Sequence, residues 1–199
     1  MKSLFFSALA LLMSFVSIAQ MSDDVRNVST ATILSPGLAY EHRIGRFQTL
    51  KGTVSMAASY GYSYSDALGS EAFIYFDPSA SVAYRYYFNY RQRSEKGKRT
   101  DMNSLNYIGP MYNVVFTKAA IKMDSFEEDD VRAVSVAGVV WGMQRNYRKR
   151  FSLDLNLGLG YQFGRVTQYD QNNNIYSSTE GTVYPMGSLT LGIWLNKRD

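Results

Sequence analysis

The sequence predicts an all-β protein: an eight-stranded antiparallel up-and-down transmembrane β-barrel that follows a cleaved signal peptide. Residues 151–163 alternate strictly between large apolar side chains and small or polar ones, as expected of a strand between lipid and a polar lumen. A short apolar run near the N-terminus is typical of an exported protein. The connections predicted on one side of the barrel are mostly basic, and those on the other side are mostly acidic.

Residues 1–19 are predicted to be a secretory signal peptide. Lys2 precedes an apolar run over residues 4–18, and Ser17-Ile18-Ala19 has the small-x-small pattern of a cleavage site. The run is shorter than the roughly 18 to 20 residues that a transmembrane helix requires. Residues 20–199 would then form the outer-membrane β-barrel domain. The alternative is an uncleaved N-terminal anchor.

The first four strands are predicted at residues 25–34, 38–44, 49–64 and 72–90. Ser35-Pro36-Gly37 provides the tight turn of the first hairpin. In the third and fourth strands the even-numbered positions are mostly apolar, and most polar side chains occupy the odd-numbered positions. Pro78 predicts a bulge or a strand break, because a proline cannot donate a hydrogen bond to the ladder.

The last four strands are predicted at residues 104–117, 131–143, 151–163 and 181–196. The fifth strand alternates cleanly only if Gly109-Pro110 is a bulge that exchanges its two faces. The sixth is apolar on both faces, and only Arg132 and Gln144 indicate which face is inward. An even number of strands returns both termini to one side of the membrane, which we expect to be the periplasmic side.

Most basic residues of the mature chain fall in the predicted periplasmic connections, and the outward loops hold about half of the acidic ones. The densest basic positions form a predicted periplasmic surface: Arg93, Lys96, Lys98, Arg99, Arg148, Lys149 and Arg150. Such a surface favours anionic phospholipid of the outer membrane as a partner. Any protein partner would bind the outward loops. The net charge of +4, which removal of Lys2 lowers by one, is too small to predict nucleic-acid binding.

Aromatic side chains are predicted to form two girdles, which are typical of a barrel in a bilayer. The outer one comprises Tyr60, Tyr62, Tyr64, Tyr161 and Phe163. The periplasmic one comprises Tyr84, Tyr86, Phe88, Tyr107, Trp141 and Phe151.

Several short segments carry a family resemblance: Gly37-Leu38-Ala39-Tyr40-Glu41-His42, Tyr84-Arg85-Tyr86-Tyr87 before a basic turn, and Ser104-Leu105-Asn106-Tyr107 after it. Together with an export signal that ends in Ala19-Gln20, they resemble the small outer-membrane β-barrel proteins common in Bacteroidetes-type bacteria. The chain is more distantly similar to the OmpA and OmpX barrels. The resemblance implies a barrel fold and a location in the bacterial outer membrane, and it implies no activity.

The sequence does not predict an enzyme, a cofactor or a metal site. His42 is the only histidine, and strand alternation places it on the face opposite Glu41, toward lipid. Because the chain has no cysteine, thiolate metal ligands and cysteine nucleophiles are excluded. The acidic run over residues 124–130 lacks the glycine turn and the alternating oxygen ligands of a calcium loop.

Four charged side chains are predicted to point into the lumen near the periplasmic ends of their strands: Glu41, Lys51, Arg85 and Asp154. An unpaired ion in a narrow lumen would be costly, so we expect these two acids and two bases to pair and form a plug. The alternative is a wet lumen in which each charge is solvated separately.

Three functional classes fit these observations. The first is an outer-membrane barrel with a structural or loop-mediated interaction role, whose narrow lumen is largely filled by side chains. The second is a narrow channel or a small-ligand-binding barrel, which small inward residues such as Ser55, Gly61 and Gly158 favour. The third is a soluble lipocalin-like binder in which the apolar faces point inward.

Overall fold

The computed structural model describes residues 25–65, 69–119, 130–169 and 175–196. The predicted signal peptide and most of the acidic run over residues 124–130 lie outside these ranges. No helix among the described residues is long and apolar enough to cross a membrane.

Eight strands form one closed barrel in which each strand is antiparallel to both neighbours and the last strand pairs with the first. They are β1 (Val28–Thr32), β2 (Gly37–Gly45), β3 (Gln48–Ser65), β4 (Gly69–Tyr87), β5 (Asn106–Thr117), β6 (Arg132–Asn146), β7 (Phe151–Tyr169) and β8 (Ile175–Trp194). The prediction of an eight-stranded antiparallel up-and-down barrel is therefore confirmed.

We call the end of the barrel that holds residues 25–28 and 194–196 the base, and the opposite end the rim. The strands differ greatly in length, from 5 residues in β1 to 20 in β8. The β3–β4 and β7–β8 hairpins are the long parts of the wall, and the β1–β2 hairpin is the short part. The rim is consequently uneven.

The two faces of the strands are sorted as the alternation predicts, with large apolar side chains outside and polar ones inside. On β3 and β4, Leu50, Val54 and Val82 are exposed, whereas Thr49 and Arg85 are buried. A strand between an apolar exterior and a polar lumen has this pattern. Part of the buried interior is thus polar and is stabilised by hydrogen bonds and ion pairs.

The predicted bulge at Gly109-Pro110 is wrong. β5 and β6 pair without a register shift from Asn106 opposite Met143 to Thr117 opposite Arg132. The prediction failed because it began the strand at Ser104, although residues 104 and 105 belong to the preceding connection. Tyr107 consequently points inward and is 0% exposed, so its assignment to the periplasmic girdle is also wrong.

The bulge or strand break predicted at Pro78 is wrong as well. The β3–β4 register continues through this residue, which lies opposite Met56. On its other side, the pairing of β4 with β5 extends only as far as Ser79. β5 continues to Thr117, so the ladder between β4 and β5 ends at the proline although the strand itself does not break.

The long β4–β5 connection at the base is folded. It contains a short helix, α1 (Tyr90–Glu95), and a 3-10 turn over Asp101–Asn103. Met102 and Asn103 have φ angles of 51° and 58°, in the left-handed region that asparagine tolerates better than most residues. This connection lies beneath the lumen and closes its base.

Candidate functional site

Asp154 is the centre of a buried cluster of polar side chains inside the base of the barrel. Lys51 Nζ lies 2.6 Å from Asp154 Oδ2, and Arg85 Nη2 lies 2.7 Å from the same oxygen. Tyr107 donates its hydroxyl to Asp154 Oδ1 at 2.8 Å. The carboxylate thus has two cationic partners and one neutral donor, which suits an ion removed from water.

Gln144 connects this group to the second carboxylate of the lumen. Arg85 Nη1 donates to Gln144 Oε1 at 2.5 Å, and Gln144 Nε2 donates to Glu41 Oε2 at 3.1 Å. Glu41 Oε1 accepts hydrogen bonds from the hydroxyls of Thr49, at 2.6 Å, and Tyr87. We call the eight connected residues the luminal network: Glu41, Thr49, Lys51, Arg85, Tyr87, Tyr107, Gln144 and Asp154.

The structure brings together the four charged residues that the sequence placed in the lumen, but it pairs them unequally. Asp154 forms ion pairs with both Lys51 and Arg85, whereas the described contacts of Glu41 are with three uncharged donors. The Arg85 guanidinium also lies 3.9 Å from the ring centre of Tyr107, a cation–π arrangement. The guanidinium of Arg85 therefore contacts the Tyr107 ring with its face, and it donates to Gln144 and Asp154 with the N–H groups at its edge.

A second layer of residues closes the base below this network. We call residues 25–27 and 88–105 the base cap. Val25 and Leu105 are fully buried in one apolar cluster with Tyr87 and Tyr107. Asn103 Oδ1 accepts from the backbone N–H of Arg26 at 2.8 Å, and Asn103 Nδ2 donates to the carbonyl of Arg26 at 2.8 Å. This reciprocal pair joins the N-terminal segment to the β4–β5 connection.

The base cap is also fixed to the end of β6. Asn146 Nδ2 donates to the carbonyl of Met102 at 2.5 Å, and Ser104 Oγ donates to the carbonyl of Asn146 at 3.0 Å. The backbone N–H of Gln144 donates to the carbonyl of Leu105 at 2.9 Å. The luminal network and the base cap are thus neighbouring parts of one closed base.

Apolar side chains fill the middle of the lumen above the network. Met186 is buried with Val136 and Val140. Glycines provide the room for it, because a β-carbon on Gly138 or Gly160 would come within 2.6 or 2.7 Å of the Met186 sulfur. Met186 therefore packs against the inner wall formed by β6 and β7 at this level.

Nearer the rim, inward side chains become accessible. Tyr184, on the rim side of buried Met186 and on the same inward face of β8, is 43% exposed. Ser188, on the base side of Met186, is also exposed. Ser188 Oγ accepts from Asn156 Nδ2 at 2.7 Å, and the hydroxyls of Ser55 and Ser79 lie 3.0 Å apart. We call the part of the lumen on the rim side of Met186 the vestibule.

The predicted basic surface lies at the base in two connections, 88–105 and 147–150. Lys96, Lys98, Arg148 and Lys149 are exposed. Arg93 donates to the carbonyl of Arg99, Arg99 pairs with Asp101 at 2.9 Å, and Arg150 lies over the Trp194 ring.

Arg93 lies near the second basic connection. Partial burial lowers the pKa of its guanidinium, and the neighbouring Tyr147 of the second connection opposes that shift. Positive charge at the base is therefore carried by two connections, and four of its members are exposed.

An apolar groove of about 800 Å³ crosses the outer face of β1 to β5. Gly52 lies in it between Tyr40 and Val82, its partners in register on the neighbouring strands. A β-carbon on Gly52 would meet nothing within 4 Å. The groove is a property of the exterior and has no connection to the luminal network among the described residues.

His42 is exposed on the outer face, and its ring stacks on Tyr40 with centroids 6.2 Å apart, while neighbouring Glu41 is buried inside. Within the described ranges, no three histidine, cysteine or acidic side chains cluster as metal ligands would. The acidic run over residues 124–130 lies mostly outside those ranges.

Comparison with known proteins gives a family without an assigned role. A family model described as protein of unknown function (DUF3575) matches residues 4–195. The chain belongs to this family. No curated protein and no solved structure matches it.

Sequence reasoning missed several members of the site. Thr49 and Tyr87 share the inward face with Lys51, Arg85 and Asp154, so strand alternation contained the signal for both. Gln144 was predicted to point inward but was not joined to the four charged residues. The base cap left a weaker signal, since a connection over residues 91–103 is longer than a tight turn needs. Its contacts join residues as distant as Arg26 and Asn103, which no local pattern reveals.

Proposed function

We propose that this protein is a β-barrel of the bacterial outer membrane with a structural or loop-mediated interaction role and a largely filled lumen. The observation that carries the proposal is the inverted distribution of side chains. Leu159 and Val183 are among the most exposed side chains of the barrel, whereas Glu41 and Asp154 are buried inside. Lipid would solvate such an exterior, and water would not.

Aromatic side chains near the barrel ends support the same placement. Tyr86, Phe88, Trp141 and Phe151 are exposed on the outside near the base, and Tyr161 is exposed nearer the rim. Amphipathic rings favour the boundary between hydrocarbon and head groups. In this proposal the base faces the periplasm.

The proposed partner at the base is anionic phospholipid. Four exposed cations, Lys96, Lys98, Arg148 and Lys149, lie just beyond the outward aromatic side chains. Each such charge near an anionic surface contributes about 1 kcal/mol of attraction. Any protein partner would bind at the rim, where the outward loops lie.

A small-ligand-binding barrel is the second candidate, and the accessible vestibule favours it. A narrow channel is less favoured, because the luminal network and the base cap lie across its path. A soluble lipocalin-like binder needs the apolar faces inside, which is the opposite of the arrangement around Asp154.

Membrane fractionation combined with gel migration tests the proposal. We expect the full chain to sediment with outer membranes, to require detergent for extraction, and to migrate faster unheated than boiled. Periplasmic release by osmotic shock in soluble form would overturn it. Planar-bilayer recording should show low conductance, and a high steady conductance would favour the channel.

A further inference from the structure

Two arginines lie close together at the base without an acidic partner. Arg93 belongs to α1 in the β4–β5 connection, and Arg145 lies at the end of β6. Their positive charges are near enough to repel each other, and Tyr147 lies near both. In the described part of the chain, no carboxylate forms an ion pair with either guanidinium. We call Arg93 and Arg145 the arginine pair.

A series of hydrogen bonds fixes the two arginines relative to each other. Arg145 Nη2 donates to Asn106 Oδ1 at 2.7 Å, and the backbone N–H of Asn106 donates to Asn89 Oδ1 at 2.8 Å. Asn89 precedes α1, and its carbonyl accepts from the backbone N–H of Arg93 at 3.1 Å. The fold therefore holds two like charges near each other, and a bound anion would relieve their repulsion.

Neutral carbonyls occupy only part of each guanidinium. Arg93 Nε and Nη2 both donate to the carbonyl of Arg99, at 3.2 and 3.0 Å. Arg145 Nη1 donates to the carbonyls of Leu105 and Gln144, at 3.0 and 2.6 Å. A guanidinium has more N–H donors than these bonds use, and both side chains are only half-buried. Each arginine thus keeps donors for a ligand that approaches from outside.

The arginine pair lies at the edge of the apolar exterior. Arg145 is on the outward face of β6, which it shares with Trp141, and Asn106 is on the outward face of β5, which it shares with Ile108. Ile108 and Trp141 face each other in register and are 45% and 40% exposed. Successive residues on one face of a strand are about 7 Å apart. The guanidinium that Asn106 holds is therefore one such step closer to the base than this apolar surface.

This arrangement suits a phosphate group that is attached to hydrocarbon. Arginine binds phosphate oxygens through its planar set of N–H donors, and two guanidiniums can share one phosphate. The hydroxyl of Tyr147, whose side chain is 49% exposed, can add a further donor. A head group that also carried a positive charge would be repelled by the two arginines. Acyl chains that extend from the phosphate toward the rim would lie on Ile108 and Trp141.

We propose that the arginine pair binds the phosphate of one anionic phospholipid, whose acyl chains lie along the outer face of β5 and β6. This lipid occupies a fixed place on the barrel, in contrast to lipid that the exposed lysines attract without fixed contacts. The inference rests on the proposed outer-membrane location and deepens it, because it assigns a defined site to the proposed lipid partner. The bound phosphate would also stabilise the junction between the base cap and the end of β6.

Native mass spectrometry of the full mature barrel, titrated with lipid in detergent, tests the site. We expect one molecule of phosphatidylglycerol to be retained in preference to phosphatidylethanolamine with the same chains. Arg93→Gln combined with Arg145→Gln should weaken phosphatidylglycerol binding about a hundredfold, because each change removes charge-assisted hydrogen bonds worth about tenfold. The matched control is Lys96→Gln with Lys98→Gln, which removes the same charge from exposed positions and should change binding less than about threefold. Equal losses in the two double variants, or a parent barrel that does not distinguish the lipids, would overturn the site.

A soluble phosphate is the other possible source of the anion. Glycerol phosphate has the phosphate group without the acyl chains, and we expect that millimolar concentrations do not displace the lipid. Displacement would show that the site binds phosphate without lipid and would overturn the lipid assignment.

Gel migration of unheated samples shows whether each variant is folded. If the double variant does not fold, Arg93→Gln alone decides, because among the described residues its side chain bonds only to the carbonyl of Arg99. This single change should weaken phosphatidylglycerol binding about tenfold. Unchanged binding in a folded Arg93→Gln barrel would exclude Arg93 from the site and overturn the proposal.

Membrane fractionation of the same proteins separates this inference from the proposed function. A barrel that sediments with outer membranes but has no preference for phosphatidylglycerol disproves only the lipid site. A protein that osmotic shock releases in soluble form disproves the outer-membrane proposal itself.

Discussion

Gly142 leaves the space that the ring of Tyr107 occupies. The two residues face each other in register across β5 and β6, and a β-carbon on Gly142 would overlap the ring. The ring placed there brings its hydroxyl to Asp154 and its face to Arg85. The position of the luminal network therefore depends on the absence of one side chain.

We expect Gly142→Ala to destabilise the barrel by about 1–3 kcal/mol, the usual effect of forcing extra volume into a packed interior. Urea unfolding of the refolded barrel measures this change. Gly52→Ala is the matched control, because a β-carbon at that outward glycine meets nothing within 4 Å. Equal effects at the two positions would contradict the packing of Tyr107 on Gly142.

Arg85→Ala should destabilise the barrel by about 3–5 kcal/mol, because it leaves buried Asp154 with one cation instead of two. The double change with Asp154→Ala should recover part of this loss, with a coupling of about 0.5–3 kcal/mol in a double-mutant cycle. Arg99→Ala, which breaks the more exposed pair with Asp101, should change stability by less than about 1 kcal/mol. Additive effects of the Arg85 and Asp154 changes would argue against a coupled network.

Asn103→Ala should loosen the base cap, since it removes both hydrogen bonds to the backbone of Arg26 and a residue that tolerates a positive φ. The expected loss is about 1–3 kcal/mol, with faster amide exchange at Arg26 and cleavage by protease within residues 88–105. Asn103→Asp keeps the acceptor for the Arg26 N–H and should lose less. An exchange rate unchanged by Asn103→Ala would show that the cap does not depend on this pair.

Reversal of the four exposed base cations to glutamate, at Lys96, Lys98, Arg148 and Lys149, should slow insertion into anionic vesicles and leave insertion into neutral vesicles unchanged. Each reversed charge removes about 1 kcal/mol of attraction and adds repulsion. Arg93 is left in place because its guanidinium donates to the carbonyl of Arg99 within the base cap, and Arg99 because it is already paired with Asp101. Insertion that is independent of anionic lipid in both proteins would exclude the proposed partner.

Strand alternation was sufficient to predict the barrel and the inward direction of Glu41, Lys51, Arg85 and Asp154. It works because successive residues of a strand point to opposite faces. Once the face of one residue is known, every other residue of that strand is assigned to the inward or the outward face. It failed at Tyr107, where Leu105 was read as a strand residue although it is apolar because it is buried in the base cap. A local pattern cannot distinguish these two reasons for an apolar side chain.

The sequence predicted neither the full length of the strands at the rim nor the structure of the base cap, and the reasons differ. β7 extends to Tyr169 and β8 starts at Ile175, well beyond the predicted Phe163 and Gly181, because this hairpin holds its register through backbone pairing while its side chains are mostly polar. The cap depends on contacts such as Ser104 with Asn146, which only the closed barrel creates.

The brevity of β1 has a consequence for the order of folding. In the described ring, seven of the pairings join strands that follow one another in the chain, and these can zip from their own turns. The β8–β1 seam instead joins residues as far apart as Thr30 and Trp194, and it consists of three residue pairs. Closing so long a loop has a large entropic cost. The three residue pairs of the seam contribute too little stabilising free energy to offset that cost until the neighbouring strands have formed. The ring should therefore close last and open first at this seam, which leaves the cap to hold the two ends of the chain together.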